Sequence, residues 1–215
     1  MSIKHEEEFT STFLSGKICL HPTDTVPGLT ANPLSTAAIE QLNLLKSRSP
    51  LKAYIGLVAD LTSAEKFWQP LPTIWHNALR NIWPAPLSIV WHASTNAPKC
   101  MLSSDKKICL RAPKLSQDFT WFSKVLSNID IPIPTTSVNL SSEKPAKNWS
   151  EAKLFATEHD VYIPLLSNVN ECQQQDNIPS TIIEIIDAEK FQILREGQIR
   201  LSDIEQNLKA NEEKY

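Results

Sequence analysis

Glycine is scarce in this chain. Gly16, Gly28, Gly56 and Gly197 are the only glycines among 215 residues, so neither a GxGxxG turn nor a GxxxxGK loop can be written anywhere. Their absence excludes the dinucleotide-binding fingerprint and the P-loop, in which glycine lets the backbone cradle phosphate. A phosphate ligand would therefore have to be bound mostly by Lys and Arg side chains.

Long apolar runs and paired cysteines are also missing. No stretch reaches the roughly 18 apolar residues of a membrane span, and the acidic start MSIKHEEEF does not resemble a signal peptide. The cysteines show no CxxC spacing, and Cys19 and Cys109 lie inside apolar runs typical of buried strands. The sequence predicts a cytoplasmic protein with no membrane partner, structural cysteines and no metal ligands of its own.

The charge is nearly balanced. A net charge of -3 and a pI of about 6.0 exclude a surface that is basic overall, so nucleic acid could bind only at a local patch. At 41% hydrophobic and 21% charged residues, the chain has enough apolar material for a folded core.

Helical and strand patterns alternate along the whole chain. Helices are predicted around Phe9 and Phe13 and at 36–46, 62–69, 73–83, 116–129, 150–159 and about 201–212, with N-caps at Ser35, Thr62 and Ser150. Strands are predicted at 17–20, 53–58, 87–92, 107–112, 181–186 and 191–194, with long polar turns at 22–33 and 135–142.

This alternation, without a linker or an internal repeat, indicates one α/β domain spanning residues 1–215, with its motif-bearing core at about 17–200. Nearly continuous apolar strands suit a sheet that helices cover on both faces. Short connections, such as the one before Phe191, indicate that part of the sheet is antiparallel. We therefore expect a mixed sheet.

Polar segments adjoin several of these strands and carry the candidate chemistry. The segment from Ile18 to Val58 joins a strand that ends in hydroxyls to a helix that ends near Lys46, Arg48 and Lys52, which predicts an anion site. Arg111 follows an apolar run, and a buried guanidinium needs an anionic partner. No convincing Ser/His/Asp or Cys/His set is recognisable in the sequence, although one sequence alone does not exclude a triad.

Taken in order, these segments resemble the YrdC-like threonylcarbamoyl-AMP synthases of the short, single-domain type. The resemblance runs from about Lys17 to Gly197 and rests on the following segments: Pro22 to Leu29 (PTDTVPGL), Lys46-Ser47-Arg48, Trp83 to Ser88 (WPAPLS), Arg111-Ala112-Pro113, Ser137-Val138-Asn139, Pro179-Ser180-Thr181 and Leu194 to Gly197 (LREG). Each segment alone is a weak signal, whereas the set in this order is specific.

The resemblance implies a twisted mixed β-sheet flanked by helices, with a concave basic cavity. It also implies a reaction in which L-threonine, bicarbonate and ATP, with Mg²⁺ on the nucleotide, give L-threonylcarbamoyl-AMP and pyrophosphate for the N6-threonylcarbamoyladenosine modification of tRNA. The implied partners are tRNA or double-stranded RNA, and the threonylcarbamoyl transferase complex that receives the product.

The resemblance further implies site residues. Catalysis would involve Lys46 and Arg48, and ATP would contact Lys46, Arg48, Ser137, Asn139 and Arg195. Threonine would contact Thr23, Thr25, Lys52, Arg111, Thr135 and Ser180, with the Arg111 guanidinium pairing its carboxylate in a bidentate way.

Other readings of the same residues stay open. Asp24 could simply satisfy a turn, Lys46 and Arg48 could complement a helix C-terminus, and Arg195 could pair with Glu196 or Glu184. Two rival functions are an RNA-binding paralogue without synthase activity, and carbamoyl-adenylate chemistry of the hydrogenase-maturation type, whose acylphosphatase and zinc-finger-like modules are not recognisable here. The paralogue reading rests on Pro27 and Thr30, which replace the family's usual Tyr and Gly.

Overall fold

The computed structural model describes residues 2–49, 53–141, 143–165 and 178–212, so Lys52 and Cys172 lie outside the described residues. The helices in this part of the chain are α1 (Ser2–Leu14), α2 (Thr36–Leu45), α3 (Leu61–Glu65), α4 (Thr73–Ile82), α5 (Thr120–Asn128), α6 (Trp149–Glu158) and α7 (Leu201–Glu212). None of these described helices is long and apolar enough to cross a membrane.

The strands form one mixed sheet. They are β1 (Cys19–His21), β2 (Gly28–Thr30), β3 (Ile55–Leu57), β4 (Leu87–His92), β5 (Lys107–Arg111), β6 (Ile133–Ser137), β7 (Thr181–Ile185) and β8 (Phe191–Arg195), in the spatial order β1-β2-β6-β3-β5-β4-β7-β8. The pairs β3–β5 and β4–β7 are parallel and the remaining neighbours are antiparallel. The predicted mixed α/β sheet is confirmed.

Helices cover both faces of this sheet. Cys19 packs with Phe9, Phe13 and Phe122 of α1 and α5, whereas its neighbour Leu20 belongs to the larger core on the opposite face. This division follows from the alternation of side chains along a strand. The larger core includes the buried residues of α2, α4 and α6 together with Ile204 and Leu208 of α7.

Two predicted turns contain strands. The segment 22–33 was expected to be a turn throughout, but Gly28–Thr30 pairs with both β1 and β6. The segment 135–142 was expected to be a polar turn, but β6 continues through Ser137. In both cases pairing with strands distant in the sequence outweighs the local preference of Gly, Thr and Ser for turns.

Two predicted helix caps are shifted by two residues. Asp60, and not Thr62, caps α3 by accepting from the Ser63 amide at 2.7 Å. Asn148, and not Ser150, caps α6 by accepting from the Glu151 amide at 2.8 Å. Asp and Asn are equally good caps, so the sequence offered several candidates within one turn. The predicted Ser35 cap of α2 is confirmed by its bond from Ala38 N.

Candidate active site

A cavity of about 540 Å³ lies where β5, β6 and the segments around β2 and β7 meet. This volume is within the range of about 300 to 1,000 Å³ that ligand pockets occupy. The described residues that line it are Thr23, Thr25, Val26, Pro27, Arg48, Ala53, Ile55, Arg111, Thr135, Thr136, Ser137, Pro145, Pro179, Ser180, Ile182 and Arg195. This lining contains three arginines and, among the described residues, no Asp or Glu. The cavity is therefore suited to an anionic ligand.

Arg111 is the buried cation of this cavity. It is the last residue of β5 and is only 3% exposed. Its Nη2 lies 3.5 Å from Asp24 Oδ1 and its Nη1 donates to Thr25 Oγ1 at 3.3 Å, but its Nε has no hydrogen-bond partner in the described part of the chain. Because an unpartnered buried donor costs roughly 1 to 3 kcal/mol, a ligand carboxylate at this position would be stabilised.

The turn after β1 presents hydroxyls next to Arg111. Thr23 Oγ1 donates to Val26 O at 2.7 Å, accepts from the Thr25 amide at 3.0 Å, and lies 3.0 Å from Thr25 Oγ1. Asp24 accepts from the Lys114 amide at 2.9 Å, so its carboxylate joins this turn to the segment after β5. The Asp24 carboxylate thus does more than complete its own turn.

Arg48 lies just beyond the C-terminal end of α2. Its Nη2 donates to Ala53 O at 2.6 Å, and its guanidinium lies 4.4 Å from the centre of the Tyr54 ring. The Tyr54 hydroxyl in turn donates to Asn43 Oδ1 at 2.7 Å. Burial lowers the pKa of Arg48, yet an arginine keeps its charge in proteins. The stacked ring and the carbonyl therefore hold a fixed positive charge at the cavity wall.

Lys46 is buried beside the cavity and does not line it. Its ammonium donates to Ser137 O at 2.8 Å, to Asn139 Oδ1 at 2.6 Å and to Asn139 O. Ser137 Oγ donates to the same Asn139 Oδ1 at 2.6 Å. Burial, with a further contribution from Arg48, lowers the pKa of Lys46 to about 8. Lys46 thus connects the end of α2 to the segment after β6, and its bonds are not to the last carbonyls of α2.

Arg195 and Ser180 close the opposite side of the cavity. The Arg195 guanidinium donates to Ser180 O from Nε at 3.0 Å and from Nη2 at 2.9 Å, and Nη2 also reaches Ser180 Oγ at 3.0 Å. Ser180 Oγ is also 2.9 Å from Ser88 Oγ. Glu184, which the sequence offered as a partner of Arg195, instead pairs with Lys107.

Gly197 sets the path of the backbone behind Ser180. A Cβ at Gly197 would lie 2.3 Å from Pro179 O and 2.4 Å from Thr181 N, distances that real Cβ atoms do not adopt. Only glycine lets the segment that follows β8 pass this close to the Pro179 to Thr181 segment.

His21 lies beside the cavity and is not among the site residues that the sequence motifs predicted. It is fully buried, its Nε2 lies 3.0 Å from Thr135 Oγ1, and its ring stacks on Phe122 with centres 5.0 Å apart. Burial, with the nearby Arg111 charge as a smaller contribution, lowers the pKa of His21 to about 4. Gly28 pairs with His21 across β1 and β2, and this contact depends on strand register, which leaves no local signal in the sequence.

The described residues do not fit a metal held by protein ligands. No group of three or more His, Cys, Asp or Glu side chains in the described part of the chain could hold a metal ion. The only carboxylate described above as adjoining the cavity is that of Asp24, which faces Arg111. Any Mg²⁺ in this cavity would therefore bind to the phosphates of a nucleotide ligand.

The sequence of this chain matches a known protein family over most of its length. A family model described as telomere recombination, which covers the Sua5, YciO and YrdC proteins, matches residues 11–197. The chain belongs to the Sua5/YciO/YrdC family. The predicted resemblance and the predicted fold class are confirmed.

Several relatives in this family bear the same name. The chain is 27% identical over 150 residues to a threonylcarbamoyl-AMP synthase of Halorhodospira halophila, covering 69% of this chain and 76% of the relative. It is 26% identical over 183 residues to one of Marinobacter nauticus, covering 84% and 90%. The structure of Pyrococcus abyssi Sua5 complexed with L-threonine is similar, with a TM-score of 0.79 and 22% identity, covering 96% of this chain but only 58% of the Pyrococcus chain.

The structure brings most of the site residues predicted from the family together. Those that line the cavity are Thr23, Thr25, Arg48, Arg111, Thr135, Ser137, Ser180 and Arg195. Lys46 and Asn139 lie behind this wall, bonded to each other, and Lys52 falls outside the described residues. Pro27, at the family's usual Tyr position, also lines the cavity.

Proposed function

We propose that this chain is a threonylcarbamoyl-AMP synthase, which joins L-threonine, bicarbonate and ATP into L-threonylcarbamoyl-AMP and releases pyrophosphate. One observation carries the proposal: a single cavity connects the buried, incompletely bonded Arg111 guanidinium to the cations Arg48 and Arg195. The names of the relatives support the same reaction.

The Arg111 end of the cavity suits the amino acid. A planar guanidinium binds a carboxylate through two hydrogen bonds, and the hydroxyls of Thr25 and Thr135 lie along the same cavity. Val26, Pro27 and Ile55 also line the cavity and offer an apolar wall to one side of the ligand.

The Arg48 and Arg195 side of the cavity suits the nucleotide. Carboxylated threonine is a carbamate anion, and its attack on the α-phosphate of ATP brings together two negatively charged groups. Each cation about 4 Å from such a charge contributes at most roughly 4 kcal/mol at an effective dielectric near 20. Because Arg48 and Arg195 are already fixed by backbone carbonyls, they can stabilise the departing pyrophosphate without reorganising.

Lys46 would then act through Ser137 and Asn139. Its three donors are directed to oxygens of these two residues, so it holds the segment after β6 in the form that faces the nucleotide. No side chain has to become a covalent nucleophile, and catalysis would be positioning and electrostatic stabilisation.

The partners follow from the product. ATP would bring Mg²⁺ on its phosphates, and the labile product would pass to a threonylcarbamoyl transferase complex for the modification of tRNA. The cavity supports only the small-molecule part of this scheme, and the role of tRNA stays a prediction.

The test is threonine-dependent release of pyrophosphate from ATP in bicarbonate buffer. We expect release with L-threonine, and background rates when either threonine or bicarbonate is omitted. Release that requires carbamoyl phosphate in place of threonine would instead indicate the hydrogenase-maturation type of chemistry.

A second candidate is an RNA-binding paralogue without synthase activity. Pro27 favours it, because this residue lines the cavity where the family has a larger aromatic side chain. Ala85 and Val138 stand where the family usually has Gly and Ala. Both are buried away from this lining, at 6% and 1% exposure, and affect packing more than ligand contact. Tight binding of double-stranded RNA with no threonine-dependent turnover would establish the paralogue and refute the synthase.

A further inference from the structure

The hydroxyl hydrogens at the Arg111 end of the cavity are already committed to protein acceptors. Thr23 Oγ1 lies 2.7 Å from Val26 O, and a carbonyl can only accept, so the Thr23 hydrogen points there. The 3.0 Å contact between Thr23 and Thr25 must then use the Thr25 hydrogen. Arg111, which can only donate, completes the sequence by bonding to Thr25 Oγ1 at 3.3 Å. Thr25 therefore offers a ligand only a lone pair.

His21 fixes the direction of the second hydroxyl in the same way. Its Nδ1 lies 3.0 Å from Pro22 O, so Nδ1 carries the hydrogen. Burial lowers the pKa of His21 to about 4 and keeps the ring neutral at neutral pH, which makes Nε2 an acceptor. Thr135 Oγ1, 3.0 Å away, must donate to Nε2. Thr135 thus also turns only lone pairs towards the cavity that it lines.

Gly28 makes this contact geometrically possible. A Cβ at Gly28 would lie 2.4 Å from His21 Nε2 and 2.6 Å from Thr135 Oγ1. No other residue could occupy this position of β2 without separating the two groups. The stacked Phe122 ring fixes the plane of the imidazole from the other side.

We propose that His21 is a positioning residue that holds the Thr135 hydroxyl as a hydrogen-bond acceptor, so that this end of the cavity selects a ligand with a protonated amine beside its carboxylate. The inference deepens the proposed function and rests on it. A guanidinium bonded to the acceptor-only Thr25 hydroxyl, in a cavity that the Thr135 hydroxyl also lines, complements a zwitterion. A phosphate group, which brings acceptors alone, would face the lone pairs of Thr25 and Thr135 and be disfavoured there.

The test compares two ligands that differ in the amine. L-Threonine and (R)-3-hydroxybutyrate share the carboxylate and the hydroxyl, and calorimetric titration, by competition where binding is weak, gives the ratio of their affinities. We expect the unmodified protein to prefer threonine. His21→Phe keeps an aromatic ring to stack on Phe122 but cannot accept from Thr135, and Thr135→Val removes the hydroxyl itself.

Thr135→Val removes the acceptor and should reduce the preference for threonine by about tenfold or more, the usual effect of losing a hydrogen bond to a charged group. His21→Phe leaves the Thr135 lone pairs but releases the hydroxyl hydrogen, so it should reduce the preference by a smaller factor. The double variant should reduce it no further than Thr135→Val, because without the hydroxyl His21 has nothing to orient. An unchanged ratio in His21→Phe, or an equal loss of affinity for both ligands, would overturn the inference and leave the proposed function standing. Absence of threonine binding in the unmodified protein would overturn both.

A second measurement needs no variant. Long-range proton–nitrogen correlation spectra of the unmodified protein, labelled with ¹⁵N-histidine, distinguish the two neutral tautomers of each assigned ring. We expect the hydrogen of His21 on Nδ1. A hydrogen on Nε2 would reverse the bond to Thr135 and overturn the inference even if the variants fail to fold.

Discussion

Arg48 and Arg195 reach the same cavity from positions far apart in the chain, and each is held by a backbone carbonyl. Arg48 donates to Ala53 O and stacks on Tyr54, while Arg195 donates twice to Ser180 O. Burial lowers the pKa of both groups, although Arg48 is only half-buried and part of Arg195 is exposed. Cations held in this way are already in place when negative charge develops between them.

We therefore expect Arg48→Ala and Arg195→Ala to reduce turnover by about 10²-fold or more, as loss of a preorganised charge-stabilising donor does. The measurement is the rate of pyrophosphate release at saturating threonine and ATP. Arg80→Ala, which removes an exposed arginine of α4 outside the cavity lining, is the matched control and should retain the original rate. Full activity in either cavity variant would show that its charge is not used in the reaction.

His21 predicts a pH dependence of stability. Burial lowers its pKa from 6.5 to about 4 in the folded protein, so between these values the unfolded chain binds a proton that the folded protein does not. The free energy of unfolding should consequently fall as the pH drops from 6.5 towards 4, by up to about 3 kcal/mol from this residue.

Urea unfolding at a series of pH values checks this expectation. The His21→Phe variant lacks the titrating group, so its free energy of unfolding should decline less than that of the unmodified protein over the same interval. Parallel pH profiles for the two proteins would mean that His21 titrates alike in the folded and unfolded states.

The residue types of the site were predictable, whereas the contacts that orient them were not. Arg111 could be identified because a guanidinium at the end of an apolar strand needs an anion. Its connection to Thr25 spans 86 residues, and the bond between His21 and Thr135 spans 114. Such partners depend on strand order, which no local pattern in one sequence specifies.

The contacts of Lys46 were also not predictable from the sequence. The sequence motifs predicted that Lys46 contacts ATP, whereas the structure shows its ammonium bonded to Ser137 and Asn139 and not lining the cavity. Its predicted catalytic contact with ATP stays a prediction.

At the scale of the element, two residues are candidates for the N-cap of α3. The sequence suggested a capping box beginning at Thr62, whereas Asp60 accepts from the Ser63 amide at 2.7 Å. Asp60→Ala should therefore lower the free energy of unfolding by about 0.5 to 2 kcal/mol, the usual cost of losing an N-cap. Thr62→Ala, at an exposed position two residues further on, is the control and should change it by less than about 0.5 kcal/mol.

Thermal or urea unfolding of both variants measures the difference. A larger loss in Thr62→Ala than in Asp60→Ala would restore the capping-box reading and place the start of the helix later. The comparison is sharp because both side chains are short, polar and exposed, and only one of them bonds to the first turn.

The elements that were predicted well are those with a strong local pattern. The strand expected at 87–92 corresponds to β4 (Leu87–His92), and α4 ends at Ile82, next to the expected stop before Pro84. In contrast, β2 has only three residues, and β6 ends in hydroxyls that face the cavity. A strand that ends in polar residues at a cavity resembles a turn in the sequence.

At the scale of the whole molecule, the cavity connects distant parts of the sheet. Thr23 and Thr25 precede β2 near one edge, Thr135 and Ser137 lie in the adjoining β6, while Ser180 precedes β7 and Arg195 ends β8 at the opposite edge. A ligand that contacts all of them ties the two edges together. The single-domain organisation of residues 1–215, which was inferred from the sequence, stays a prediction.

This arrangement predicts where ligands will reduce amide hydrogen exchange. L-Threonine alone should protect the segments at 22–28 and 134–138, because Thr25 bonds to Arg111 and Thr135 lines the same cavity. Adding ATP should extend protection to 53–57 and 179–182, on the Arg48 and Arg195 sides of the cavity. The packed pair α4 and α7 lies outside the cavity lining and serves as the internal reference.

Exchange measured by mass spectrometry with each ligand alone and with both together distinguishes a joined site from two separate ones. If the cavity is one site, the protection with both ligands should exceed the sum of the separate effects, because the first ligand has already ordered a wall that the second one shares. Purely additive protection, or protection centred on α4 and α7, would mean that the two edges of the sheet bind their ligands independently. In that case the cations and the hydroxyls of this cavity would not act on the same reacting pair.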